Sequence, residues 1–151
     1  MRLFNQFNPS INLVKSILLY QKYKNSNNPF ASILLKTASI NYYFWTILTG
    51  SDINKLSNIC ADLKLPHPNG VVIHQDAKVG TECMIMQQVT IGQLADNAVP
   101  TIGKGVYIGA GAKVLGGVTI GDFARIGANA VVLIDVPAGK TAVGVPAIIK
   151  N

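Results

Sequence analysis

A parallel β-solenoid with three short strands per turn is predicted for residues 52–136, with a helical cap over residues 1–51. Three observations predict it. Aliphatic residues recur every sixth position, glycine follows several of them directly, and small or β-branched residues sit four places further on.

The aliphatic series begins Ile53, Ile59, Leu65. After a step of eight it continues Ile73, Val79, Ile85, Ile91. After a step of eleven it resumes as Ile102, Ile108, Val114, Ile120, Ile126, Val132. All thirteen are Ile, Leu or Val, which make up 31 of the last 100 residues, so about four would be expected by chance. The two steps are fitted; the last run of six needs none. Glycine follows at Gly92, Gly103, Gly109, Gly121 and Gly127. Val106, Ala112, Val118, Ala124, Ala130 and Val136 stand four places on. A period of six suits neither a helix of 3.6 residues per turn nor an alternating strand. It suits a three-sided coil with aliphatic side chains inward and tight corners between the sides. Neighbouring coils then pair as parallel strands about 4.8 Å apart, so a little over four coils stack to roughly 20 Å.

The two steps predict external excursions, which a stacked repeat tolerates. One lies within Pro66-His67-Pro68-Asn69-Gly70. The other is a loop over residues 93–100, Gln93 to Pro100. Loops on a rigid scaffold often carry function.

Such a stack needs closed ends. The tail over residues 137–151, with Pro137, Gly139, Gly144 and Pro146, reads as irregular structure closing one end. At the other end Ile11 to Lys24 and Phe30 to Leu48 read as helices, split by Asn25-Ser26-Asn27-Asn28-Pro29. Pro29 stands where a helix start tolerates proline.

Composition narrows the class. The chain has 151 residues, 49% hydrophobic and 13% charged, with a net charge of +6. That length suits one domain with a core. No stretch is a clean span of about 20 apolar residues, and no leader pattern stands at the start. A cytoplasmic protein is expected. Cys60 and Cys83 are too few for a disulfide framework, no metal-ligand spacing surrounds them, and neither a metal nor a nucleic-acid partner is expected. Residues 1–51 hold Arg2, Lys15, Lys22, Lys24 and Lys36, no acid, and most of the aromatics. Such a segment could meet the inner face of a membrane or another acidic partner, or present a solvated helical face over an oligomer interface.

Within this frame, Asp52-Ile53, Pro66-His67-Pro68-Asn69-Gly70-Val71-Val72-Ile73, Gln87-Gln88-Val89-Thr90-Ile91-Gly92, Ile108-Gly109-Ala110-Gly111-Ala112-Lys113 and Gly144-Val145-Pro146-Ala147 form a pattern. It resembles the serine acetyltransferases and their shorter relatives in bacterial surface-polysaccharide pathways, hexapeptide-repeat enzymes. The resemblance covers about two thirds of the chain, from Asp52 to Ala147. It implies a left-handed parallel β-helix behind a short N-terminal helical segment. It also implies acetyl-CoA as donor, transfer to a hydroxyl, and a homotrimer that could stack into a hexamer.

Acetyl transfer to a hydroxyl needs a base, donors for the oxyanion, and a scaffold holding both substrates. Histidine suits the base near neutral pH. His67 lies in the widened corner and matches the family's catalytic histidine. Asp52 precedes it by fifteen residues, against about eighteen per coil, so both should stand near one corner on adjacent coils. The family's aspartate orients the imidazole, a role the resemblance gives to Asp52. His74 has no catalytic counterpart and reads as surface or interface. The resemblance places the CoA arm along Ala110 and Ala128, with Lys140 for its phosphates.

For the acceptor, three serine-binding features of the family are missing. Pro66 replaces an acid before His67, Ala98-Val99 replaces an Arg-His pair, and no acid precedes Asp52. A sugar hydroxyl in surface-polysaccharide synthesis is therefore expected, with Asn69, Gln87, Gln88 and Asn97 as neutral hydrogen-bonding candidates. L-serine is the alternative, and a non-catalytic scaffold the less favoured one. The acceptor could be a small molecule or a glycan.

Overall fold

The computed structural model describes residues 8–27, 29–95 and 97–150. Residues 1–7 of the basic segment, Asn28 of the inter-helix turn, Asp96 of the loop and Asn151 of the tail lie outside them.

Two helices come first, α1 (Pro9–Lys24) and α2 (Ala31–Thr49). Asn8 caps α1: its Oδ1 accepts from the Ile11 N–H at 3.2 Å, with Pro9 in the first turn, where its missing N–H costs nothing. Pro29 precedes α2 rather than starting it, since Phe30 is the N-cap. Gly50 ends α2 at φ +61°, a left-handed conformation that glycine adopts freely.

Strands then follow three per turn. The first coil holds β1 (Asp52–Ile53) and single bridges at Asn58 and Lys64. The second holds β2 (Val72–Ile73), β3 (Lys78–Val79) and β4 (Met84–Ile85). The third holds β5 (Thr90–Gly92), β6 (Thr101–Ile102) and β7 (Tyr107–Ile108). The fourth holds β8 (Lys113–Leu115), β9 (Thr119–Ile120) and β10 (Arg125–Ile126). The last holds β11 (Val131–Val132), a bridge at Val136, and β12 (Thr141–Gly144), on which β13 (Ala147–Lys150) folds back antiparallel. Three sheets result: β1-β2-β5-β8-β11, β3-β6-β9, and β4-β7-β10-β12-β13.

All thirteen register residues are buried, none more than 5% exposed, and so are the six that stand four places on. Each fully buried Ile contributes about 1.5–3 kcal/mol relative to exposure. The tail departs from the expectation of irregular structure. Arg125 pairs with Thr141 and Ile126 with Ala142, so the third sheet gains a further parallel strand before the hairpin closes it. The six-residue period breaks after Val132, but β-branched Thr141, Val143, Ile148 and Ile149 still favour strand.

The helices close the opposite end. Leu13, Val14 and Ile17 of α1 and Tyr42 and Trp45 of α2 join the core cluster. Gln21 Nε2 donates to the carbonyls of Lys55 and Ser57 at 3.1 and 2.9 Å, fastening α1 to the first coil. Tyr42 Oη donates to the Ile53 carbonyl at 3.0 Å. Burial pushes the Tyr42 phenol above its usual value near 10. Tyr42→Phe is therefore expected to cost about 1 kcal/mol in denaturant unfolding at neutral pH. The unfolded chain ionises this phenol first, so parent stability falls as pH rises past about 10. The Phe variant should lose that slope; an unchanged profile would remove Tyr42 as its source.

Candidate active site

The candidate residues distribute over the corners of the coil. The corner from the third sheet to the first carries His67, Asn69, Gln87, Gln88, Ala110 and Ala128. Backbone hydrogen bonds align them. The carbonyl of Asn69 accepts from the Gln88 N–H, that of Gln87 from Gly111, and that of Ala110 from Asn129, at 3.0, 2.9 and 2.8 Å. Asn69, Gln87, Ala110 and Ala128 thus form one vertical column. His67 opens it at the base, inside the two-residue widening between Leu65 and Val71.

A second column runs beside it: Gly70, Gln88, Gly111 and Asn129, with φ of +66°, +60°, +73° and +56°. Asparagine tolerates this left-handed conformation better than most residues, whereas glutamine pays a larger steric cost. Gln88 is held there by its own contacts. Its Nε2 donates to Asn69 Oδ1 at 2.9 Å, and Lys113 Nζ donates to its carbonyl at 2.7 Å.

The column suits an extended, amide-bearing ligand. Ala110 and Ala128 present nothing beyond a methyl group, so a ligand can approach the backbone. Gln87 Oε1 is buried without a hydrogen-bond partner. Buried acceptors are rarely left so, and an N–H or O–H from a ligand would complete it.

His67 is exposed and lines a cavity of about 490 Å³ with Leu48, Thr49, Pro66 and Asn69 among its walls. Asp52 stands one coil lower on the first sheet, paired with Val72, just past the same corner. It opens onto a different cleft, of about 290 Å³, with Asn54, His74 and Gln75. Among the described residues no hydrogen bond or ion pair joins Asp52 to His67. The fifteen-residue spacing delivers the neighbouring coil and corner, but not a bond.

His74 shares the Asp52 cleft, with its side chain partly exposed. Its Nδ1 accepts from the Asp76 N–H at 3.2 Å, which leaves the neutral ring's proton on Nε2. The available signal was its position directly after Ile73, where the chain leaves the first sheet.

Asn97 and Lys140 do not join the column. Asn97 lies in the loop at the corner from first to second sheet. Lys140 lies at the corner from second to third, where its carbonyl accepts from the Arg125 N–H at 2.8 Å. Both are exposed. Among the described residues no group of three His, Cys, Asp or Glu could hold a metal ion, and no helix is long and apolar enough to cross a membrane. Cys83 is buried; burial pushes its thiol up, and its Sγ donates to the Gly103 carbonyl at 3.1 Å.

The coil is the left-handed parallel β-helix of hexapeptide-repeat transferases. The family model for the bacterial transferase hexapeptide (six repeats) matches residues 100–133. The chain is, further, serine acetyltransferase-like in both sequence and fold. It is 47% identical over 106 residues to a serine acetyltransferase of Mycobacterium tuberculosis, covering 68% of this chain and 46% of that protein. It is 45% identical over 103 residues to one of Helicobacter pylori, covering 66% and 60%. A solved serine acetyltransferase in complex with CoA superposes with a TM-score of 0.80 at 30% identity, covering 95% of this chain and 58% of that one. The chain thus spans about half the length of the relatives it matches. None of these relatives supports the expectation of a polysaccharide acceptor.

Proposed function

We propose that the chain is an acetyl-CoA-dependent O-acetyltransferase, with L-serine as its acceptor. The observation that carries the reading is the column that His67 opens, in which Gln87 offers an unpartnered carbonyl beside the methyl-lined strip of Ala110 and Ala128. The serine acetyltransferases it resembles, one of them solved with CoA, support both the donor and the acceptor.

In this reading His67 takes the proton from the acceptor hydroxyl as its oxygen attacks the thioester carbonyl. The carbon–sulfur bond then breaks, and the leaving thiolate takes the proton back from the imidazolium. Asp52, one coil lower at the same corner, orients and stabilises that imidazolium once its side chain turns toward His67. The pantetheine arm lies along Ala110 and Ala128, giving an amide N–H to Gln87. Lys140 and Asn97 stand on other edges, so a single chain splits the expected contacts. A homotrimer in which edges of neighbouring copies meet would reunite them.

One observation favours a second reading, a sugar hydroxyl. Among the described residues, the walls of the His67 cavity carry no carboxylate for a serine ammonium. A desolvated charge without a partner is costly. L-serine should therefore be acetylated but bound weakly, with a high KM. The check is CoA-thiol release with L-serine and with a panel of sugars and nucleotide sugars. Turnover with a sugar and none with L-serine would replace the first reading by the second.

A further inference from the structure

Helix α2 is apolar on two opposite faces. One packs inward through Ala38, Tyr42 and Trp45. The other turns to solvent: Ile33, Ile40, Phe44 and Ile47 are 60%, 71%, 54% and 82% exposed. Their spacing places all four on one stripe, with Tyr43 beside it. A helix face turned to water is ordinarily polar. A continuous exposed apolar strip marks a surface that something covers.

The strip is bordered by cations. Tyr20, Lys36, Ile40 and Tyr43 line a groove of about 380 Å³ between the helices. Lys55 of the first coil stands over the Tyr20 and Tyr43 rings at 4.5 and 5.2 Å. Lys15 and Lys22 line a neighbouring groove. No Asp or Glu occurs in residues 8–51.

We infer that the outer face of α2, with its bordering lysines, docks the protein in the plane of an anionic lipid surface. Charge decides between occupants. A second copy meeting this face with the same face would set lysines against lysines with no carboxylate from either helical segment to relieve them. An anionic leaflet supplies acyl chains for the isoleucines and Phe44, and negative headgroups for the lysines. Tyr43 suits the headgroup level, with its apolar ring and polar tip.

The inference is independent of the acetyl-transfer reading, and its test measures no activity. The full chain is sedimented with vesicles of phosphatidylcholine containing phosphatidylglycerol, and with vesicles of phosphatidylcholine alone. Binding is expected only to the former, and should fall about tenfold or more at high salt. The double variants Ile40→Ser/Ile47→Ser and Lys22→Glu/Lys36→Glu should each weaken it about tenfold or more. These side chains lie outside the core, so circular dichroism should show both variants folded. Absence of binding at low salt, or equal binding to both vesicles, would overturn the inference. So would a parent that ignores vesicles while the Ile40→Ser/Ile47→Ser variant drops to half the particle mass, which would assign the face to a second copy.

Discussion

His67→Asn is expected to slow acetyl transfer by ~10²–10⁴-fold, the usual worth of a general base. The side chain is exposed and lies outside the core, so unfolding midpoints should not move. CoA affinity should also hold, because the Gln87, Ala110 and Ala128 column stands above His67 and is untouched. Calorimetric CoA titration and thiol-release kinetics together make the check. Asp52→Asn should cost the same or less, since an orienting carboxylate acts only through the base. Its effect carries separate information, because Asp52 makes no bond to His67 in the single chain. Full activity in the Asp52 variant would leave His67 working alone. Near-normal turnover in the His67 variant would remove the base assignment.

The fold was legible because a six-residue period is long, regular and incompatible with other architectures. Thirteen aliphatic positions predicted thirteen inward side chains, and each is buried. The tail was less legible. Its glycines and prolines mask a parallel strand, since the step from Val132 to Ala142 leaves the period while Ala142 still pairs with Ile126. The site was only partly legible. Motif residues located the corner of His67, and counting by coils brought Asp52 near it. The period sets which side chains point inward but not how the corner side chains turn, so the two cavities they line could not be foreseen. Nor could the orphaned oxygen of Gln87, which depends on what surrounds it rather than on spacing. Asn97 and Lys140 were drawn to the site by chemistry and family likeness. One chain places them on other edges, and only assembly could bring them in.

Glycines that follow the register residues look equivalent in the sequence, yet two should behave oppositely. A Cβ at Gly109 would lie 2.6 Å from the Ala128 nitrogen and 2.9 Å from the Gly127 carbonyl carbon. Both are backbone atoms of the next coil, so no side chain can swing aside. Gly109→Ala must push the paired coils apart at the column, or bend one of them. Overpacking of this kind costs about 1–3 kcal/mol, and more where backbone must move. Because the displaced backbone is that of Ala128, CoA affinity should fall together with stability. A Cβ at Gly92 meets only the Leu115 and Thr90 side chains, each at 3.5 Å, which is ordinary contact. There the coil opens into the external loop. Gly92→Ala should be neutral, or stabilising by about 0.4–1 kcal/mol through reduced freedom of the unfolded chain. Denaturant midpoints and CoA titrations on both variants make the comparison. Equal losses in the two would show that the close stacking at Gly109 relaxes more readily than these distances imply. A stability loss at Gly109 with unchanged CoA affinity would move the donor groove away from Ala110 and Ala128.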